Sequence, residues 1–369
     1  MNRLNASHVR QGRPLPWDVF DAQNNLLLSR GYVIESQHQL DGLLERGMYV
    51  SEEDFAAVLA SPSALDEPER FNPFWLWDDI SSKVTHFLKF ASSEPLFEDR
   101  ISGIALLVTT LVDNDADAAM ASILLKDASR YAFAHSLHVA VLAAIISRRF
   151  RWPEAARRDV VRAALTMNVL MIELQTDLLL QKEPLTEDQR REVDSHAERG
   201  YLFLREKGIS SPNWLEAVHL HHQYLELTPG EAGKASMKAM PQLLRVLDVF
   251  CAKISPRSYR RAIQPPVAAR EIYTQEREGC AELVDAIIKE IGLYMPGTFV
   301  KLENGETALV VKRGETVSTP KVIALSRGDG MPYIDGLKRD TARPEFAIKS
   351  VVPREKVLHR LNLSKIWGY

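Results

Sequence analysis

Residues 135–146 read His135-Ser136-Leu137-His138-Val139-Ala140-Val141-Leu142-Ala143-Ala144-Ile145-Ile146. Val139, Leu142 and Ile146 follow His135 at the spacing of one helical face, so the stretch predicts an α-helix. His135 then projects from the buried stripe, where an imidazole needs partners for its ring nitrogens. A backbone carbonyl is the plainest partner, and a metal ion is the alternative.

The helical period extends outward on both sides. Ile80, Val84, Phe87 and Leu88 repeat it, as do Ile101, Ile104, Ala105 and Val108. Further helices are expected to start near Asp117, Tyr131, Glu154, Thr186, Pro212 and Pro241. Strand alternation is absent, so residues 74–293 read as an all-α domain. Residues 1–50 read as a small α+β module. Its strands are expected over Pro14–Phe20 and Leu26–Leu28, with a turn at Asp21–Asn25 and an extended stretch at Gly31–Ile34. A short helix from Ser36 to Arg46 follows, with Gly47 at its end. Residues 51–73 carry the breakers Ser61-Pro62-Ser63, Glu67-Pro68-Glu69 and Asn72-Pro73, and read as a connector. Residues 294–369 change character. Gly297–Leu302, the Asn304-Gly305 turn and Thr307–Val311 predict a hairpin, Lys321–Leu325 predicts a third strand, and the whole suggests a small β module or a partial barrel. The fold class is therefore mainly α, with a helical bundle flanked by a small N-terminal α+β module and a small C-terminal β module.

The chain has 369 residues and a net charge of -3, which gives no global attraction to a nucleic-acid polymer, so any phosphate recognition must be local. Two cysteines, Cys251 and Cys280, form neither a disulfide framework nor a zinc motif. The first twenty residues lack an apolar signal core, and no uncharged apolar run reaches the roughly 18 residues of a membrane span. The expectation is a cytoplasmic protein with no membrane span.

Beyond His135, three more histidines and one aspartate stand out. His196 follows Glu192-Val193-Asp194-Ser195 on a predicted helix. His221 and His222 are adjacent on another, near the stripe of Trp214, Val218 and Leu225; neighbours on a helix diverge by about 100°, yet both could reach one interhelical cavity. Asp248 lies among Leu244, Val246, Leu247, Val249 and Phe250, where a carboxylate must be paired, ligated or capping. Four imidazoles and a carboxylate from separate helices are a donor set for a metal centre inside a bundle, or a hydrogen-bonded cluster; spacing leaves their convergence open.

The order of these elements resembles the HD-GYP family, over roughly residues 120–275. His135-Ser136-x-x-Val139-Ala140-x-Leu142-Ala143 is similar to its first histidine helix. Ala163-Ala164-Leu165 is similar to the lead-in to its His-Asp dyad. Leu185-Thr186-Glu187 with His196-x-Glu198-x-Gly200, the His221-His222 pair, and Pro241 followed by Arg245–Phe250 and Arg257-Ser258-Tyr259-Arg260 match later elements in register. The resemblance implies an HD-type helical bundle with a metal centre of iron or manganese. It implies hydrolysis of cyclic di-GMP in active members, and phosphate contacts at Arg257 and Arg260, where guanidinium forks suit phosphate oxygens. A solvated arginine face with Arg261 and Arg270 is the other reading of that pair. The cluster Arg148, Arg149, Arg151, Arg157, Arg158 and Arg162 reads as solvated surface.

The departures from the family pattern bear on chemistry. The dyad positions hold Met167 and Asn168, the expected lysine is Met171, the glutamate after the paired histidines is Gln223, and Tyr131 stands where some members place a further metal-binding glutamate. The Gly-Tyr-Pro signature is replaced by Tyr224-Leu225-Glu226-Leu227. An amide oxygen bridges two dications poorly, and a thioether is soft for iron or manganese. One divalent ion could still be held through His196, His221 and His222, or through His135 and Asp248. The resemblance with these departures implies a degenerate bacterial signalling protein, catalytically inactive. It would act by binding cyclic di-GMP, a related nucleotide or a signalling partner such as a diguanylate cyclase. A phosphodiesterase with an atypical metal centre and a ligand-free interaction module are the alternatives.

Overall fold

The computed structural model describes residues 71–369 apart from 127–130, 180, 182, 257–261 and 358–360, together with parts of 2–54. The chain forms two compact units, residues 1–78 with Tyr369 and residues 79–368.

In the first unit β1 (Asn2–Arg3), β2 (Val19–Phe20), β3 (Leu26–Leu28) and β4 (Tyr49–Val50) make an antiparallel sheet in the order β1-β4-β2-β3. The turn at Asp21–Asn25 is held by the Asp21 carboxylate, which accepts the Gln23 and Asn25 amides at 2.9 and 2.8 Å. Trp17, Val19, Ile34, Met48 and Val50 form its apolar core. Of the strand expected over Pro14–Phe20, Val19–Phe20 is a strand among the described residues, and Pro14 and Pro16 lie outside them. Of the helix expected over Ser36–Arg46, Gln39, Gly42 and Leu43 are described and helical; the remainder, like most of the connector, lies outside the described residues.

Helix α1 (Pro73–Lys89) runs across the division between the units and starts on Asn72, whose side-chain oxygen accepts the Phe74 amide at 3.0 Å. The second unit continues with α2 (Phe97–Leu125), α3 (Tyr131–Arg149), α4 (Glu154–Thr166), α5 (Ile172–Leu178) and α6 (Glu187–Glu206). After these come α7 (Pro212–Leu220), α8 (Ala239–Ile254), α9 (Pro265–Gln275) and α10 (Ala281–Ile291). Helix α3 is the hub and packs against α2, α4, α8 and α10. The single buried stripe expected for it is corrected: every residue from His135 to Ser147 is buried, as an interior helix requires. Its length and composition would also allow a membrane crossing, but 83% of its apolar window is covered by the bundle.

The start expected near Asp117 falls beside a break within α2. Asp115 leaves helical geometry at φ −150°, ψ 90°, and its carboxylate accepts the Ala118 amide at 2.9 Å, capping the second segment. Helix α6 opens with a reciprocal cap: Thr186 Oγ1 accepts the Gln189 amide at 3.2 Å, and Gln189 Oε1 accepts the Thr186 amide at 3.0 Å. Thr186→Ala removes one arm and is expected to lower stability by about 1 kcal/mol in urea unfolding.

The C-terminal strands β5 (Phe299–Leu302), β6 (Thr307–Lys312), β7 (Lys321–Ser326), β8 (Pro332–Asp340) and β9 (Ile348–Val351) form one antiparallel sheet. Its order is β8-β7-β6-β5-β9, with no pairing between β8 and β9 among the described residues. The Asn304-Gly305 turn also differs from a two-residue hairpin. Gly305 donates to the Leu302 carbonyl at 3.0 Å, and Leu302 donates to that of Glu306 at 2.9 Å, with Gly305 at φ +84° as the bulge residue. Alternate residues face opposite sides. Phe299, Leu309, Ile323 and Leu325 join one core with Ala121 and Leu125 of α2, while Val300, Ala308, Val310 and Val322 join another with Tyr333 and Phe346. A short α11 (Leu363–Trp367) closes over the first of these faces.

Within the sheet the buried Glu306 carboxylate takes both arms of Arg339 at 2.9 and 2.8 Å and the Tyr333 hydroxyl at 2.7 Å. The Arg339 hydrogen bonds hold its pKa down at about 2, against an ordinary 4.5. A depressed carboxyl stabilises above its ordinary pKa and ceases to as pH falls through its folded value. The sheet is therefore expected to weaken between about pH 4.5 and pH 2. Glu306→Gln should cost about 2 kcal/mol at pH 7 and flatten that acid limb, read from urea midpoints against pH.

Candidate metal and ligand site

Two pairs of elements carry the polar residues of the bundle. Helices α3 and α8 bring His135 and Asp248 together, with Nε2 to Oδ1 at 2.7 Å. The Tyr131 hydroxyl lies 3.4 Å from His135 Nδ1 on the other edge of the ring. Burial alone would raise the Asp248 carboxyl. The hydrogen bond from His135 and the nearby His221 and His222 rings instead hold it well below the usual carboxylate range. Asp248 is therefore an ionised acceptor, which assigns the Nε2 proton to His135.

Helices α6 and α7 bring the other three histidines together. His196 Nδ1 bonds the Val193 carbonyl at 2.5 Å, and His221 Nδ1 bonds the Val218 carbonyl at 2.6 Å. Each ring thus keeps its proton on Nδ1 and turns an Nε2 lone pair inward. These two Nε2 atoms are 3.3 Å apart, and His222 Nε2 is 3.2 Å from that of His196. Two facing lone pairs repel unless a cation or proton lies between them. Burial lowers the pKa of His196 and pushes that of His221 down to about 3, while a neutral His222 with its proton on Nε2 can donate to His196, so the contact holds with or without an ion. A tetrahedral ion bonded to nitrogen at about 2.05 Å spaces its ligand atoms about 3.3 Å apart. The three ligand atoms, all within 4.8 Å of one another, fit a single metal ion. Among the described residues this cluster contains no carboxylate.

The adjacent pair His221-His222 is not on the interior of a helix, as the sequence suggested. Helix α7 ends at Leu220, His221 caps it, and His222 lies in the turn beyond. Leaving helical geometry lets consecutive rings converge, with centroids 4.1 Å apart. The position of α7 is fixed by contacts that sequence reading missed. Trp214 Nε1 donates to Thr166 Oγ1 at 2.9 Å, Ser211 Oγ donates to Asp159 at 2.8 Å, and the Arg162 guanidinium lies 4.7 Å from the Trp214 ring centre. A lone tryptophan in an apolar stripe was the one signal available for this.

Met167 caps the end of α4 and Asn168 begins the following turn; both are buried, as is Met171, whose amide closes that turn on the Asn168 carbonyl at 2.9 Å. Arg257 and Arg260 lie outside the described residues. The solvated surface expected for the arginine cluster is corrected for three members, one of them Arg148, whose Nη1 donates to the Val112 carbonyl at 2.7 Å. Arg157 and Arg162 are half-buried, Arg157 on Asp113 at 2.7 Å and Arg162 on Asp159, because their helix is covered on that side by α2 and α7.

No family model matches the chain. A curated relative, the cyclic di-GMP phosphodiesterase PA4108 of Pseudomonas aeruginosa, is 23% identical over 318 residues, covering 79% of this chain and 77% of its own. Among solved structures, Bd1817, an HDG"Y"P protein from Bdellovibrio bacteriovorus, overlaps 78% of this chain and 97% of its own, at a TM-score of 0.49 and 13% identity. In the order of its histidine elements the bundle resembles the HD-GYP pattern, and over most of its length the chain is similar to this phosphodiesterase.

Proposed function

We propose that the chain is a signalling protein whose HD-GYP domain binds cyclic di-GMP without hydrolysing it, and passes the bound state to a protein partner. The nucleotide is taken from the Pseudomonas aeruginosa relative, and the loss of chemistry from one observation. Met167 and Asn168 are buried at the dyad positions, and Asp248 is already held by His135. Hydrolysis by paired metals needs an anionic bridge that draws two dications together. Asn168 offers a neutral amide oxygen there and Met167 a thioether.

The second reading rests on the three inward Nε2 atoms. They would hold one divalent ion, iron or manganese by the family resemblance, which would supply positive charge to a phosphate oxygen. The tests are metal analysis of the purified protein, a cyclic di-GMP hydrolysis assay and calorimetry with the same nucleotide. The expected result is at most one ion per chain, binding, and no turnover. Turnover that disappears in His221→Ala would establish the one-metal enzyme instead, and absence of nucleotide binding would leave a ligand-free docking module.

A further inference from the structure

The three imidazoles of the cluster are not held alike. His196 and His221 are buried, and each ring is turned by a bond between Nδ1 and a carbonyl of its own helix, that of Val193 or Val218. His222 is exposed, and its Nδ1 has no hydrogen-bond partner among the described residues. Its ring centre lies 4.8 Å from that of His196 and 4.1 Å from that of His221. An exposed side chain with no anchor of its own keeps much of its rotamer freedom. Where His222 can reach is therefore set by the path of the chain beyond α7.

That path is pinned at close intervals. The Gln223 amide donates to the Leu220 carbonyl at 2.8 Å, closing the turn that carries His222. The Tyr224 hydroxyl donates to the Glu278 carbonyl at 3.0 Å, and its ring leaves no room for a side chain at Gly279. The Leu225 amide donates to Gln242 Oε1 at 3.0 Å, and the Leu227 amide donates to the Gly279 carbonyl at 2.7 Å. Only one of these four acceptors is a side chain. Gln242 is wholly buried on α8, the helix of Asp248, in the apolar run from Met240 to Leu244. A buried amide is costly unless both of its ends are bonded, and its Nε2 donates to Cys280 Sγ at 3.6 Å.

We infer that Gln242 is a positioning residue for the metal site: by holding the Leu225 amide it fixes the turn after α7, so that His222 completes the three-nitrogen set with His196 and His221. The inference rests on the one-ion reading above. Gln242 acts through the backbone of the turn and not as a ligand.

The test is titration of the metal-free full chain with cobalt(II). Affinity is read by calorimetry, and the geometry around the ion by visible absorption. Gln242→Leu keeps nearly the same volume and removes the acceptor. It is expected to weaken cobalt binding on the order of tenfold and to shift the visible bands. Gln242→Glu keeps an acceptor oxygen and should bind within about threefold of the native chain. Tyr224→Phe removes one exposed hydroxyl, so it tests the same turn with little risk to folding, and should weaken binding about threefold. His222→Ala should weaken binding on the order of a hundredfold, and in that background Gln242→Leu should change it by less than about twofold, because the group it positions is gone. An equal loss from Gln242→Leu in both backgrounds would mean that it acts on the bundle at large, and would overturn the inference. Cobalt binding that neither Gln242→Leu nor Tyr224→Phe alters beyond about twofold would also overturn it, while the one-ion reading stood. Binding untouched by His222→Ala would overturn it too, leaving a site of two histidines. No cobalt binding at millimolar concentration would overturn both the inference and the reading beneath it.

Discussion

The double variant Met167→His with Asn168→Asp is expected to hold two metal ions per chain where the native protein holds at most one. It is also expected to hydrolyse cyclic di-GMP on the order of 10²–10³-fold faster. The change is electrostatic more than steric. Asn→Asp preserves shape, and Met→His shortens a side chain at the end of α4, so the turn after Thr166 should keep its path. The backbone there is anchored because Thr166 receives the Trp214 indole at 2.9 Å and α7 carries His221 beside it. A new carboxylate at a site only 4% exposed is costly without a cation, so the variant should also depend on metal for stability. Chelation is expected to lower the melting temperature of the variant by several degrees more than that of the native chain. A variant that gains neither ion nor turnover would show that Met171 and Gln223 share the loss.

The second large effect concerns the seam between bundle and sheet. Gly297→Ala is expected to destabilise the protein by about 3 kcal/mol, roughly 5–10 °C in a thermal scan. Gly297 has φ +94°, where an L side chain is strained, and an added Cβ would lie 2.9 Å from the Ala121 carbonyl oxygen and 3.0 Å from its Cα. Both are backbone atoms of α2, so no side chain can swing away. The strand β5 begins two residues later, and either it or the helix must retreat. An unchanged melting temperature would mean that the two layers are not in van der Waals contact at this point.

The helices were legible where local chemistry announces them. Thr186 with Gln189 and Ser211 with Pro212 are capping signals, and the apolar period around His135 needs no tertiary information. The edge strands β8 and β9 were not legible. Ile334 is 97% exposed and Gly336 interrupts the strand, so β8 shows none of the inward alternation by which strands are read. At the site, residue types were readable but angles were not. His135, His196, His221, His222 and Asp248 stand out by chemistry in apolar runs, whereas the division into a His135–Asp248 pair and a three-imidazole cluster depends on how four helices meet. The convergence of His221 and His222 depends on α7 ending at Leu220, and two histidines followed by Gln223 do not announce that end.

Helix α2 belongs to two interiors at once. It packs on α3 and α4, yet beyond its break at Asp115 Ala121 and Leu125 complete the apolar layer of the sheet with Phe299 and Leu309. Arg313 at the end of β6 reaches back to Asp117 on the same segment at 2.6 Å. Only the opposite face of the sheet has a core of its own, so a fragment holding only residues 294–369 would leave the shared layer half built. Bundle and sheet should therefore melt in a single cooperative step, and a ligand that tightens one will be felt as added thermal resistance in the other.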